Sequence, residues 1–202
     1  HVRARCRSVS AAALALLLGC SGAAVSTDEQ ARRAYLGLDR AIGKSLTLGF
    51  AGFNSASSAN IAPQSTSGDE SGTLTITGQV DQGASANKGM RLKVGMSGYS
   101  DGDLMLDGGG VVSVTYDTAD AGSAQPALDL QLKNIPSGTL DGTLAGPFSM
   151  SGDLTGDVTL NLTMTGMIES DGDGGTRRQA GTVKVTGTAS AGGGTFNVDL
   201  TL

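Results

Sequence analysis

From Thr73 onward, apolar and polar residues alternate with a period of two. The runs Leu74-Thr75-Ile76-Thr77, Met90-Arg91-Leu92-Lys93-Val94-Gly95-Met96 and Val112-Ser113-Val114-Thr115-Tyr116 show it, as do Leu128-Asp129-Leu130-Gln131-Leu132, Val183-Lys184-Val185 and Phe196 to Leu202. Such alternation predicts strands with one face in a core and the other in water. Between 140 and 168 every even position is apolar or Gly, while the odd ones are nearly all Thr, Ser, Asp or Asn. A straight strand of that length would reach about 100 Å. A domain of this size has a radius of gyration of only about 14 Å. The chain must therefore reverse while keeping its parity, which a three-residue loop allows. Ser151-Gly152-Asp153, between Met150 and Leu154, is the predicted loop. Glycines on the inward side would let strands bend or pack closely.

The first third has a different rhythm. Ser26-Thr27-Asp28-Glu29 reads as a helix-capping box, with a carboxylate three residues after the hydroxyl. Ala31, Ala34, Tyr35, Leu38 and Ile42 then fall on one helical face, and Gly43 can end the helix. Residues 46–53 fit either a strand or a further helical turn, so 26–53 is a helical N-terminal segment. Residues 54–72, rich in Ser, Ala, Asn and Gly, read as a linker or exposed loop. Together these elements predict a mainly β fold over 73–202: an antiparallel, strongly curved sheet, barrel or sandwich, with one N-terminal α-helix. A membrane-spanning barrel is disfavoured by the lack of aromatic girdles.

Composition narrows the core. There is no Trp among 202 residues, with three Tyr, four Phe and 32 Gly. A light core of Leu, Val, Ile, Met and Ala is expected. Four of the six Met (Met90, Met96, Met150 and Met164) fall on the inward parity. Met adapts to irregular apolar partners, so these residues suit either core filling or a concave surface that holds an apolar ligand. Leu92, Val94, Met96, Leu160, Leu162 and Met164 are the candidate ligand face, with the N-terminal helix as a lid.

The N-terminal residues carry the most specific signal. Arg3, Arg5 and Arg7 stand without an acid, and Ala11 to Leu18 are all Ala or Leu. That run is too short to span a bilayer, which needs about 20 residues, but it fits the apolar core of an export signal. Leu17-Leu18-Gly19-Cys20 resembles the lipobox of bacterial lipoproteins. The resemblance implies cleavage before Cys20, diacylation of its thiol and attachment to a membrane through covalent lipid. It divides the chain into a signal (1–19), a lipidated tether (20–25) and the folded part. In an enteric-type envelope, the resemblance implies that Ser21 permits transfer to the outer membrane. Loss of 1–19 removes three of 14 basic residues and none of 19 acids, leaving a formal charge of −8. Such a chain lacks the basic patch that nucleic acid requires. With Cys20 acylated, no thiol remains for a disulfide or a metal.

Other chemistry is sparse. Gly43-Lys44-Ser45 lacks the earlier glycine and the preceding strand of a phosphate loop, and reads as a helix end. Asp101/Asp103 and Asp171/Asp173 read as turn residues rather than a calcium loop, since the twelfth position from Asp171 is Thr182. The mature chain has no His to activate a serine. No catalytic residue, metal or cofactor is expected. The expected function is that of a non-enzymatic envelope lipoprotein. It would either carry an apolar ligand or lipid in a curved sheet, or serve as a structural or protein-interaction module with a filled core.

Overall fold

The computed structural model describes residues 22–106 and 110–202. The export signal, the lipobox residues Leu17, Leu18 and Gly19, and Cys20 lie outside the described residues. The helical segment divides into α1 (Asp28–Leu36) and α2 (Asp39–Ser55). The cap lies one residue later than expected: the Thr27 hydroxyl accepts from the Gln30 N–H at 3.2 Å, while the Gln30 side chain accepts from the Ser26 N–H at 2.8 Å. The helix breaks at Gly37 and not at Gly43. A methyl group on Gly37 would lie 2.1 Å from the Tyr116 hydroxyl, so the chain turns there against the sheet. α2 then runs through Gly43, because Ala41, Ile42, Ser45, Leu46, Gly49 and Gly52 form one buried face. Burial of such a face outweighs the roughly 1 kcal/mol that a helical glycine costs.

The strands are β1 (Asn60–Ser67), β2 (Ser71–Val80), β3 (Lys88–Ser100), β4 (Leu104–Met105), β5 (Val111–Val112), β6 (Val114–Asp117), β7 (Ala127–Lys133), β8 (Gly138–Gly152), β9 (Gly156–Ser170), β10 (Thr176–Arg178), β11 (Lys184–Ala191) and β12 (Gly194–Thr201). Ten of them form one sheet with the order β1-β2-β3-β6-β8-β9-β11-β12. Strand β7 joins β3 to β8, β10 pairs with β9, and β4–β5 is a separate short hairpin. The pairings within these sheets are antiparallel. The mainly β, curved antiparallel fold is thus as the alternation predicts.

Three local expectations change. The 54–72 segment is not all linker, since it contains β1. That strand is an edge and buries only Ile61 among its eight residues, so no period-two signal marks it. Its Pro63 needs no ladder partner at an edge. The last β8–β9 pair is Met150 with Gly156, so five residues, 151–155, lie between the paired positions, and Ser151 and Gly152 continue β8 by pairing with β6. Parity is still kept, because five is odd; Leu154 drops into the core (3% exposed) instead of starting the return strand. The tether is also shorter than 20–25, because Val25 is already buried.

The apolar faces of β2, β3, β7, β8, β9 and β11 meet under the two helices. Gly49 and Gly52 let α2 approach closely: a methyl group there would lie 2.7 Å from the Met90 sulfur and 2.8 Å from Ile61 Cδ1. Both sheet edges are backed by helix. α2 packs along β1 and α1 along β12, and the Asp28 carboxylate accepts from the Asn197 N–H of β12 at 2.8 Å. The core is less light than composition suggests, since Tyr35, Tyr99, Tyr116 and Phe148 are its largest fully buried side chains. Each tyrosine hydroxyl has a polar partner, as buried phenols require: Asp39 for Tyr35, Asp101 for Tyr99 and the Ala34 carbonyl for Tyr116.

Candidate functional site

The expected ligand face is interior. Leu92, Val94, Leu160 and Leu162 are each 1% exposed, Met164 0% and Met96 5%. The inward glycines let their neighbours pack closely. A methyl group on Gly142 would lie 2.8 Å from Leu130 Cδ2 and 3.1 Å from Met164 Cγ, and one on Gly166 2.9 Å from Val183 Cγ2. The six residues pack in one core with α1 and α2. The helices are part of that core and not a lid over an open face.

At one end of β8 the chain joins the folded body. Ala23 forms a parallel bridge to Leu154. Its N–H donates to the Asp153 carbonyl at 3.1 Å, and its carbonyl accepts from the Thr155 N–H at 3.0 Å. The Thr155 hydroxyl donates to the Gly22 carbonyl at 2.8 Å. Gly22 is held so closely that a methyl group would lie 1.9 Å from the Gly152 carbonyl oxygen. Asp153 also accepts from the Ser113 N–H at 2.7 Å, which places the β4–β5 hairpin beside the joining chain. That hairpin carries the most exposed large apolar side chains among the described residues, Met105 at 78% and Val111 at 48%.

Two ionic clusters fix α2 to the sheet. In one, the Lys44 ammonium lies 2.5 Å from Asp101 Oδ1 and 2.8 Å from Asp69 Oδ1. Asp101 also accepts from the Tyr99 hydroxyl at 2.7 Å and from the Asp69 N–H at 3.1 Å. Burial disfavours the Lys44 charge, but hydrogen bonds to Asp101 and Asp69 outweigh this and hold its pKa above the ordinary value. The Lys44 hydrogen bond holds Asp69 below the ordinary carboxylate value. In the other cluster, Arg178 grips Asp39 with both guanidinium arms, at 2.7 and 2.9 Å. The guanidinium pKa is raised because the Asp39 hydrogen bond and charge overcome the desolvation. Bidentate geometry of this kind is the strong form of the carboxylate pair.

The motifs weighed in the sequence have structural positions. Gly43-Lys44-Ser45 lies within α2 rather than at its end. Asp171 closes its own turn, accepting from the Asp173 and Gly175 N–H groups at 2.9 and 2.8 Å. Asp101 is tied to Lys44 and Tyr99. Among the described residues no group of three or more His, Cys, Asp or Glu is placed to hold a metal, and no helix is long and apolar enough to cross a membrane. The chain matches no family model, no curated protein and no solved structure.

Proposed function

We propose that this chain is a non-enzymatic envelope lipoprotein whose filled β–α body is held against a membrane by lipid on Cys20 and works through its surface. The observation that carries the reading is the clamp on Ala23. Two residues, Ser21 and Gly22, separate it from Cys20, and the three steps between them reach at most about 11 Å, so an acylated Cys20 would bring this end of the body to the bilayer surface. Met105 and Val111 are exposed at this same end. Apolar surface removed from water there contributes about 25 cal/mol per Å², so the hairpin would reinforce the anchor. Leu92, Val94, Met96, Leu160, Leu162 and Met164 are packed into the core, which favours an interaction module over a carrier that encloses lipid. Its partners would then be envelope proteins met on the outer surface of the sheet, at the outer membrane in a cell of enteric type.

Metabolic labelling with an alkyne palmitate tests the anchor. The wild-type chain is expected to take up label and sediment with membranes, and Cys20→Ser to lose both. Label retained by Cys20→Ser would overturn the reading.

A further inference from the structure

At the other end of β8, Lys88 is 4% exposed. Lysine is almost never buried so fully without a charged partner, yet Lys88 has no salt bridge among the described residues. Its ammonium donates to the Gly83 carbonyl at 2.5 Å and lies 4.4 Å from the centre of the Phe53 ring. Those contacts accommodate the charge without neutralising it. The neighbouring carboxylate of Asp81 is already engaged, by Arg91 at 2.8 Å and the Gly89 N–H at 3.0 Å. Asp171, which lies against Gly175 of the cleft lining, accepts from two N–H groups of its own turn.

Lys88 forms one wall of a surface cleft of about 340 Å³, with Phe50, Phe53, Ile135, Pro136 and Thr176 around it. That volume lies at the lower end of small-ligand sites, and the lining fits one too: apolar walls with a few polar side chains, Asn54, Thr176 and the single cation Lys88. We infer that this cleft binds a single-chain anionic amphiphile, the carboxylate meeting the Lys88 ammonium and the short apolar chain lying on Phe50, Phe53 and Ile135. A neutral chain would leave the buried charge unmatched, and a cation would oppose it. The cleft lies at the far end of β8 from the Ala23 clamp, so the inference does not depend on the lipid anchor.

The full-length protein as isolated from cells is exposed to a decanoate carrying a tail-end diazirine, and the labelled peptides are located by mass spectrometry. Saturable labelling at residues 50–54 or 135–136 is expected, competed by decanoate but not by decanol, decyltrimethylammonium or inorganic phosphate. Lys88→Met should cut labelling at least tenfold, whereas Lys88→Arg should keep it. Ile135→Asp, at the partly exposed wall, should abolish it without touching the lysine. Equal competition by decanol, competition by phosphate alone, unchanged labelling in Lys88→Met, or labelling confined to 104–112 would each overturn the assignment.

Discussion

Two lysines pack near opposite ends of α2, and they are treated differently. Lys44 meets two carboxylates, Asp101 and Asp69. Lys88 touches a carbonyl and an aromatic ring, and Asp81, the carboxylate on which its charge acts, is hydrogen-bonded to Arg91 instead. A charge with its counter-charge in the same chain serves the fold. A buried charge lacking one is a cost to the free protein that a ligand of opposite charge can relieve. The contrast separates a residue that holds the helix on the sheet from one that is available for binding.

Replacing the two lysines should therefore give unequal results. Lys44→Met leaves Asp101, whose side chain is 1% exposed, facing the core without its cation. It is expected to cost about 3 kcal/mol and to lower the melting temperature by roughly 9 °C. Lys88→Met removes an unmatched charge and is expected to move the melting temperature by less than about 3 °C, in either direction. Thermal melts of the two variants side by side decide it. A large loss from Lys88→Met would make Lys88 a structural residue like Lys44.

Acid and alkali sharpen the same comparison. Lys44 has a raised pKa, so its contribution is complete below the ordinary value of 10.5 and is lost as pH climbs through the higher folded value. Asp69 has a lowered pKa, so its contribution is complete above 3.8 and is lost as pH falls through the lower folded value. Stability measured against pH should decline at both extremes, and Lys44→Met should flatten both limbs. Limbs unchanged in that variant would show that other groups set them.

The smallest effect is expected at Ser45, between the two lysines on the buried face of α2. Its hydroxyl has no hydrogen-bond partner among the described residues. Ser45→Ala should be neutral or stabilise by up to about 1 kcal/mol, since it removes a polar group that is buried but unpaired. A loss above about 1 kcal/mol in a denaturant titration would mean that the hydroxyl is partnered after all.

Much of the sheet was legible in the residues. Strands β2, β3, β7, β8, β9 and β12 each bury one face, and alternation marks a half-buried strand. β1 was not legible, because an edge strand under a helix buries one residue and leaves Ser, Thr and Gln outside. The ligand face illustrates a different limit. Leu92, Val94, Met96, Leu160, Leu162 and Met164 point inward as their parity requires, but parity says nothing about what fills the other side. The two helices fill it, and a signal for the approach of α2 was available in Gly49 and Gly52, one turn apart and facing Met90 and Ile61. Lys88 carries no signal in the sequence, because it precedes its strand's alternating run and its isolation depends on Asp81 being taken by Arg91. That pairing becomes visible only once the strands are in register.

The two ends of β8, a strand of 15 residues about 45 Å long, should differ in their distance from the membrane. Single spin labels at Met105→Cys and Ile135→Cys, in the full-length protein in membranes, read that difference through collisions with oxygen and with a water-soluble nickel complex. The label at 105 should favour oxygen, as a group in the bilayer does, and the label at 135 should favour nickel, as a group in water does. Equal nickel access at the two positions would contradict a body that stands on the membrane by its Ala23 end.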